Sequence, residues 1–231
     1  MLALFPEGFE EADRGDEFEL SAYTDERGEA RMAAVFGAVA AREVPADWAE
    51  RWKHFHRPVR AGRIWIVPPW EQAPHDEESI TIDPGRAFGT GTHPTTRLCL
   101  ELVSELEPCS LVDVGCGSGV LAIAAVKLGF APVMGLDSDP HAIAAAEANA
   151  SANGVELELR LADARVDPLP RADVAVANIS EELVGAVGAR LDCSLLVTSG
   201  YFEPHVPSLP GFHRLARRRF DGWAADLHGR E

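Results

Sequence analysis

Three glycines separated by single residues follow a short apolar run near the middle of the chain. They are Gly115, Gly117 and Gly119, and the apolar run is residues 111–114. Glycines at the end of a strand let the backbone approach a ligand closely, because no Cβ atom is in the way. Asp137 ends the next apolar run, where a carboxylate can accept hydrogen bonds from the hydroxyl groups of a ribose. The spacing therefore predicts a site for a ligand that contains adenosine.

The spacing of the glycines also indicates which cofactor to exclude. A dinucleotide-binding loop has the pattern Gly-x-Gly-x-x-Gly, whereas this loop has the pattern Gly-x-Gly-x-Gly. We therefore expect that NAD does not bind at this site.

A second group of polar residues lies just before the glycine loop. Residues 83–96 read Asp-Pro-Gly-Arg-Ala-Phe-Gly-Thr-Gly-Thr-His-Pro-Thr-Thr. So many hydroxyl groups and free amides suit a loop that closes over a polar ligand. His93 in this loop could act as a base, but we favour a histidine that orients the local backbone.

The elements that must position these residues alternate regularly between strand and helix from Ser79 onward. We expect strands near 79–82, 110–114, 132–137, 155–161, 172–177 and 194–198, and helices near 94–107, 118–129, 139–152 and 180–190. Pro94 and the pair Asp139-Pro140 are typical of helix starts. This alternation predicts an α/β fold with a parallel sheet.

The end of the chain predicts a different kind of strand pairing. Two strand-like runs, 213–220 and 223–228, flank Asp221-Gly222, which is a strong signal for a two-residue hairpin. A Rossmann-like parallel sheet that ends in an antiparallel hairpin is typical of class I S-adenosylmethionine-dependent methyltransferases. Dinucleotide dehydrogenases instead keep their last strand parallel.

The N-terminal part has a mixed character. Residues 1–44 predict a small α+β appendage, with a strand at 18–23, a turn at 25–28 and an Ala/Val-rich run at 31–41.

A helix is expected after this appendage. Asp47 is its candidate cap, and Trp48, Trp52 and Phe55 recur at helical spacing. A short strand follows at 64–67. We therefore expect three parts: the appendage at 1–44, a linker helix and strand at 45–75, and the main domain at 76–231.

Composition and charge restrict the partners. The chain has 231 residues and a net charge of −16, which repels phosphate backbones and attracts lysine-rich polypeptides. No apolar run is long enough to span a bilayer, and the N-terminus shows no basic leader or cleavage site. The four cysteines have no Cys-x-x-Cys spacing, which favours reduced thiols over a metal site. We expect a cytoplasmic protein, with a monomer favoured, that binds neither membranes nor nucleic acid stably.

Three segments together resemble one family. They are Phe-Gly-Thr-Gly-Thr-His-Pro-Thr-Thr (88–96), the glycine loop with Asp113 before it, and Val-Ala-Asn-Ile (176–179). These segments are similar to the bacterial PrmA family, whose members methylate large-subunit ribosomal protein eleven. The resemblance covers about residues 47–200, and the threonine-rich segment is far more specific than the glycine loop. It implies a protein methyltransferase that N-methylates lysine or α-amino groups of a basic ribosomal protein, with S-adenosylmethionine as cofactor.

The resemblance also implies which residues hold the cofactor. They are Thr96, Gly115, Asp137 and Asn178, with Gly117 of the same loop as a further contact.

Two further roles concern the adenine and the substrate amine. Asp163 follows the third strand of the α/β pattern, where many class I enzymes contact the amino group of adenine. Asn178 could orient the substrate amine through its side-chain oxygen, and we expect orientation rather than base catalysis.

The resemblance has two departures. The family carries an N-terminal substrate-recognition domain with a linker helix, and residues 1–44 would be a shortened form of that domain. Residues 199–205 are richer in proline than the helical continuation of the family. The shortened domain favours a substrate other than the usual ribosomal target.

The sequence offers three alternatives to a ribosomal protein methyltransferase. A class I methyltransferase that acts on another protein or on a small molecule is the main alternative. A nucleic-acid amino methyltransferase is disfavoured, because its motif would be Asn/Asp-Pro-Pro-aromatic where this chain has Asn178-Ile179-Ser180-Glu181. A cofactor-binding protein without catalytic activity is the third possibility, since the nucleophile belongs to the substrate.

Overall fold

A computed structural model describes residues 10–13, 18–22, 24, 26–37, 39–40, 57–74, 77–83 and 91–231. These residues belong to two compact units, one within 1–50 and the other within 51–231. The predicted helix with Trp48, Trp52 and Phe55 lies outside the described residues, as do residues 84–90 of the threonine-rich loop.

The first unit contains one hairpin and one helix. Strands β1 (Glu10–Asp13) and β2 (Phe18–Ser21) pair antiparallel, and helix α1 spans Glu26–Phe36. The turn expected at 25–28 is therefore wrong. Good helix formers surround Gly28, and a helix tolerates a single glycine at a cost of about 1 kcal/mol.

The second unit begins with a small sheet of its own. It contains β3 (Val59–Ala61), β4 (Ile64–Val67) and β5 (Ser79–Thr81), with β3 and β4 antiparallel and β4 and β5 parallel. The expectation that the strand near 79–82 belongs to the main parallel sheet is wrong. The apolar pattern of a strand does not specify its partner, and here Ile66 of β4 lies opposite Ile80 of β5.

The main sheet has seven strands in the order β11-β12-β10-β9-β6-β7-β8. The strands are β6 (Leu111–Val114), β7 (Val133–Asp137), β8 (Glu158–Leu161), β9 (Val174–Asn178), β10 (Leu195–Phe202), β11 (Phe212–Phe220) and β12 (Trp223–Arg230). Strands β6 to β10 are parallel, and β12 runs antiparallel to both β10 and β11. The α/β prediction and the terminal antiparallel hairpin are confirmed.

Four helices pack on the two faces of this sheet. They are α2 (Pro94–Ser104), α3 (Val120–Lys127), α4 (Pro140–Ala152) and α5 (Glu181–Gly188). Asp139 caps α4 by accepting a hydrogen bond from the backbone N–H of His141 at 2.8 Å, as the sequence predicted. One buried cluster joins α2, α3 and α4 to the sheet, and a second joins α5 to the other face. Burial on both faces explains why the central strands are mainly apolar, with Asp113 of β6 as a buried exception.

The predicted hairpin turn has the expected backbone. Asp221 has φ +52° and Gly222 has φ +77°, which matches a type I′ turn between strands of right-handed twist. The segment 203–211 connects β10 to β11 without a helix. None of the helices in the described part of the chain combines the length and the hydrophobicity that a bilayer-spanning segment needs.

Candidate functional site

A cavity of about 600 Å³ lies at the carboxyl ends of the parallel strands. Its lining includes Gly115 and Gly117 after β6, Asp137 at the end of β7 and Asn178 at the end of β9. Asp163, which follows β8, also lines it. Ligands of open α/β sheets bind at this edge, because the loops after neighbouring strands meet there. The structure therefore brings five of the six predicted cofactor residues to one cavity.

The glycine loop takes a backbone conformation that side chains disfavour. Gly115 has φ +74° and Gly117 has φ +53°, both in the left-handed region. A Cβ atom on Gly115 would lie 2.4 Å from the Cγ2 atom of Ile179. The absence of a side chain at Gly115 thus lets the loop after β6 pack against the loop after β9. The same loop can then approach a ligand with its main chain.

Asp137 is held in place by two backbone amides. Its Oδ2 atom accepts a hydrogen bond from the N–H of Gly117 at 2.9 Å, and its Oδ1 atom accepts one from Asp139 at 3.0 Å. Each carboxylate oxygen can accept a further hydrogen bond. The carboxylate is therefore oriented before any ligand arrives, and it retains acceptor capacity for the two hydroxyl groups of a ribose.

Asn178 has one side-chain atom with a partner and one without. Its Nδ2 atom lies 3.5 Å from the Oγ1 atom of Thr96, to which it donates. Its Oδ1 atom is buried and has no hydrogen-bond partner among the described residues. A buried acceptor left unpaired costs about 1–3 kcal/mol, so a donor from a ligand or a substrate fits this position.

Thr96 does not line the cavity. It is completely buried on α2 and accepts a hydrogen bond from Asn178, whereas its neighbour Thr95 lines the cavity. The structure therefore places Thr96 behind Asn178 and indicates that it orients the amide.

Asp163 lines the cavity, but its carboxylate already has a partner. Arg165 donates to it from Nη2 at 2.7 Å, from Nε at 3.0 Å and from its backbone N–H at 2.9 Å. These hydrogen bonds lower the pKa of Asp163 to about 2. An adenine amino group would have to share this carboxylate with Arg165. The contact to adenine stays a prediction.

His93 caps helix α2. Its Nδ1 atom accepts a hydrogen bond from the backbone N–H of Thr95 at 3.3 Å and lies 2.8 Å from the Oγ1 atom of Thr95. Burial lowers the pKa of His93, so the ring is neutral at pH 7. This geometry agrees with a histidine that orients the backbone.

Gly200 is the first of the site residues that sequence reasoning missed. It has φ +99° at a bulge in β10, and a Cβ atom there would lie 2.0 Å from the carbonyl oxygen of Ile179. A glycine inside a strand pattern suggests a bulge or a close backbone approach, and that signal could have identified Gly200.

Trp223 was also missed. It begins β12 and lines the same cavity as Asn178. Its only sequence signal was its place directly after the hairpin turn, which does not indicate a cavity.

The described residues show no competing metal site. Histidine, cysteine and acidic side chains among them form no group of three or more that could hold a metal ion.

Comparison with known proteins identifies the family. Residues 11–202 match the model of the ribosomal protein L11 methyltransferase (PrmA) family. The chain belongs to this family. A ribosomal protein L11 methyltransferase from Aliivibrio fischeri (strain MJ11) is 51% identical over 139 residues, which cover 58% of this chain and 47% of that protein. One from Aeromonas salmonicida is 47% identical over 176 residues, which cover 71% of this chain and 59% of that protein.

A solved structure agrees with this assignment to the PrmA family. The ribosomal protein L11 methylase of Lactobacillus delbrueckii subsp. bulgaricus superposes with a TM-score of 0.66 at 31% identity, covering 76% of this chain and 99% of that chain. The chain spans about half the length of the first curated PrmA relatives it matches. The matched region ends at residue 202, so Trp223 and the terminal hairpin lie beyond it.

The family and the class I fold imply S-adenosylmethionine as the cofactor. The residues of the cavity fit this molecule. Asp137 presents an oriented carboxylate for a ribose, the loop of Gly115 and Gly117 lets the main chain approach closely, and Asn178 supplies a buried acceptor without a partner.

Proposed function

We propose that this chain is an S-adenosylmethionine-dependent protein methyltransferase that N-methylates lysine or α-amino groups of a large-subunit ribosomal protein. The observation that carries the proposal is the buried Oδ1 atom of Asn178, which has no partner among the described residues and belongs to the same cavity as Asp137. Asp137 suits the ribose of the methyl donor, and Asn178 suits an amine. Membership of the PrmA family supports the same assignment.

Three groups of this chain hold the cofactor in this proposal. Asp137 accepts hydrogen bonds from the ribose hydroxyls, and Gly115 and Gly117 let the backbone lie against the ligand. Asp163 contacts the adenine amino group, with Arg165 keeping its carboxylate ionised. When bound, S-adenosylmethionine supplies a methyl group already activated by its sulfonium, so the protein needs mainly to position the acceptor.

The substrate amine must be uncharged to react. Lysine has a pKa near 10.4, so presenting the free amine at neutral pH costs roughly 4–5 kcal/mol. Asn178 accepts a hydrogen bond from an N–H of the amine and thereby directs its lone pair. An amide cannot take up a proton at neutral pH, so the proton leaves to solvent. His93 is not required as a base in this scheme, because its Nδ1 atom caps helix α2.

The charge of the chain supports a basic partner. The sequence carries 37 acidic and 21 basic residues, which gives a net charge of −16. A lysine-rich ribosomal protein is attracted to such a surface, and nucleic acid is repelled. A cytoplasmic monomer remains part of the proposal, as does the division into an appendage at 1–44, a linker at 45–75 and a methyltransferase domain at 76–231.

Transfer of label is the direct test. The protein is incubated with methyl-labelled S-adenosylmethionine and purified ribosomal protein L11, and mass spectrometry locates the label. We expect label on lysine side chains or the α-amino group, with Asn178→Ala nearly inactive although it is folded. If L11 stays unlabelled while a parallel incubation with non-ribosomal proteins or small molecules gives label, the result would support the alternative substrate class. Cofactor binding without label on any acceptor would indicate a binding protein instead.

A further inference from the structure

Three aromatic rings form a continuous group beside Asn178. Trp223 and Phe202 stack with ring centroids 4.4 Å apart and planes at 30°, and His93 meets Trp223 edge-on at 4.8 Å and 70°. Trp223 and His93 line the cavity, and Phe202 is 55% exposed. We call these three residues the aromatic wall.

The sheet places this wall at the amine end of the cavity. Asn178 of β9 lies opposite Ser199 of β10, and Phe202 of β10 lies opposite Trp223 of β12. The wall is therefore at the same edge of the sheet as Asn178, on the side away from Asp137, because β6 and β7 lie beyond β9 in the opposite direction.

We propose that the face of the aromatic wall, with Trp223 as its main contact, binds the cationic forms of the acceptor, namely the incoming ammonium group and the methylated ammonium product. This inference rests on the proposed function and extends it to the charge state of the acceptor. A cation within about 6 Å of an aromatic ring centroid is attracted by the negative face of the ring, most strongly by tryptophan.

Two arginines contact aromatic rings outside the wall. Arg97 and Arg230 stack on other rings, those of Phe220 and Phe212, at 4.5 and 4.6 Å. Burial lowers the pKa of His93, so its ring carries no positive charge at pH 7. An ammonium ion that approaches Trp223 therefore meets a neutral ring at His93.

Arg219 and His205 lie near the outer side of the wall. Arg219 pairs with Glu203 at 3.3 Å, and His205 pairs with Glu181 at 2.5 Å. Each of these two side chains thus has a carboxylate partner of its own.

The wall and Asn178 have different tasks during repeated methylation. Each transfer forms one N–C bond on the amine and breaks one C–S bond on the donor, whose electron pair stays on sulfur, and the amine releases one proton to solvent. A fully methylated ammonium has no N–H, so Asn178 can no longer hold it. An aromatic face holds methylated and unmethylated ammonium groups alike. The wall should therefore retain partly methylated acceptors for a further transfer.

The first experiment measures recognition of charge without turnover. The probe is Nα-acetyl-trimethyllysine methylamide, and the comparison ligand is its carbon isostere, in which a neutral tert-butyl group replaces trimethylammonium. Ligand-observed NMR titrations in saturating S-adenosylhomocysteine give both dissociation constants. We expect the wild-type protein to bind the cation at least about 5-fold more tightly than the isostere. Equal affinities would overturn the inference.

Variants then test whether the aromatic wall causes the preference for the cation over its neutral isostere. Trp223→Leu should bring the ratio of affinities to about 1, while Trp223→Phe should retain about half of the wild-type ratio. Trp65→Phe is the matched control, since Trp65 lies on β4 outside the cavity lining, and it should keep the full ratio. A ratio unchanged in Trp223→Leu would assign the cation site elsewhere and contradict the inference. If Trp223→Leu does not fold, Phe202→Leu removes the exposed backing ring and should lower the ratio instead.

The second readout separates this inference from the proposed function. Mass spectrometry of the methylated acceptor should show that Trp223→Leu accumulates partly methylated amines, whereas the wild-type protein carries acceptors further. Absence of any label with the wild-type protein would contradict the proposed function. A wild-type protein that methylates but binds both ligands equally would contradict the aromatic wall alone.

Discussion

The two halves of the main sheet build the site in different ways. The half with β6, β7 and β8 offers its glycine loop and Asp137, which lie within 23 residues of each other in the chain and are joined by a hydrogen bond. The half with β9, β10 and β12 offers Asn178, Gly200 and Trp223, which meet only because their strands are neighbours. Local motifs thus define the half that we propose for the cofactor, and long-range packing defines the half that we propose for the acceptor; they are called the cofactor half and the acceptor half below.

The largest expected effect tests the packing of the acceptor half. Gly200→Ala should lower the free energy of unfolding by about 4 kcal/mol or more, because the new Cβ atom meets the carbonyl oxygen of Ile179 at 2.0 Å in a backbone with φ +99°. Urea unfolding measures it. Gly211→Ala is the control, since Gly211 has φ +80° and no atom within 4 Å of the added carbon, and it should cost only about 1–2 kcal/mol. Equal costs would show that Ile179 can move aside.

The next effect concerns a buried carboxyl group in the cofactor half. Asp113 is completely buried on β6, and burial raises its pKa from 3.8 to about 7. Because the folded state holds this proton more tightly than the unfolded state, stability should fall as the pH rises from about 4 to about 7. The loss is on the order of 4 kcal/mol by pH 8.

The matched variant for this prediction is Asp113→Asn, which cannot titrate. Urea unfolding at several pH values should show that its stability falls less between pH 5 and pH 8 than that of the wild-type protein. Parallel profiles for the two proteins would mean that Asp113 does not remain buried as an acid.

The chemistry of the acceptor half depends on one amide. Asn178→Ala should lower kcat by about 100-fold, equal to about 2.7 kcal/mol, because the amine loses the acceptor that directs it. The pH at half-maximal rate should stay with the substrate amine. Thr96→Val removes the partner of the Asn178 amide and should have an intermediate effect on kcat.

A histidine variant separates orientation from base catalysis. His93→Ala should leave the shape of the pH profile of kcat/KM unchanged, because its Nδ1 atom caps a helix. An acidic limb that disappears in this variant would show that His93 is the base and that the orienting role given to Asn178 is wrong.

A variant of Asp137 tests the proposed contact between the cofactor half and the ribose. Asp137→Ala should weaken S-adenosylmethionine binding by about 1.5–3 kcal/mol, through loss of charge-assisted hydrogen bonds. Calorimetry measures this change, and NAD should give no heat of binding. Asp192→Ala removes an exposed carboxylate paired with Arg171 at 3.8 Å and should leave cofactor affinity unchanged. Tight binding of NAD would contradict the assignment of this site.

The sequence predicted the cofactor half better than the acceptor half for a physical reason. Gly115, Gly117 and Asp137 belong to one strand-loop-helix-strand unit, whose geometry follows from local residue types. Gly200 and Trp223 acquire their positions from pairing between β9, β10 and β12, and periodicity does not encode pairing partners.

The hairpin and strand β5 show the same difference between local residue types and pairing partners. The hairpin at Asp221-Gly222 was predictable because both residues favour positive φ. The place of β5 in a separate sheet was not, because the partner of a strand is a tertiary property. The contact of Thr96 with the cofactor, which the family resemblance implies, stays a prediction, and the structure adds that Thr96 is buried and accepts a hydrogen bond from Asn178.

The smallest expected effect is that of salt, which should act on kcat/KM but hardly on cofactor affinity. Attraction between an acidic protein of net charge −16 and a lysine-rich acceptor acts over a Debye length, which is about 10 Å at 0.1 M salt and about 3 Å at 1 M. The value of kcat/KM for ribosomal protein L11 should therefore fall several-fold between low and moderate salt. Cofactor affinity should change little, because the proposed contact of Asp137 with the ribose is a short-range hydrogen bond, which salt screens less than long-range attraction between exposed charges. Steady-state kinetics and calorimetry over one salt series measure both quantities. A flat kcat/KM profile would remove the electrostatic argument for a basic acceptor and favour a small neutral substrate.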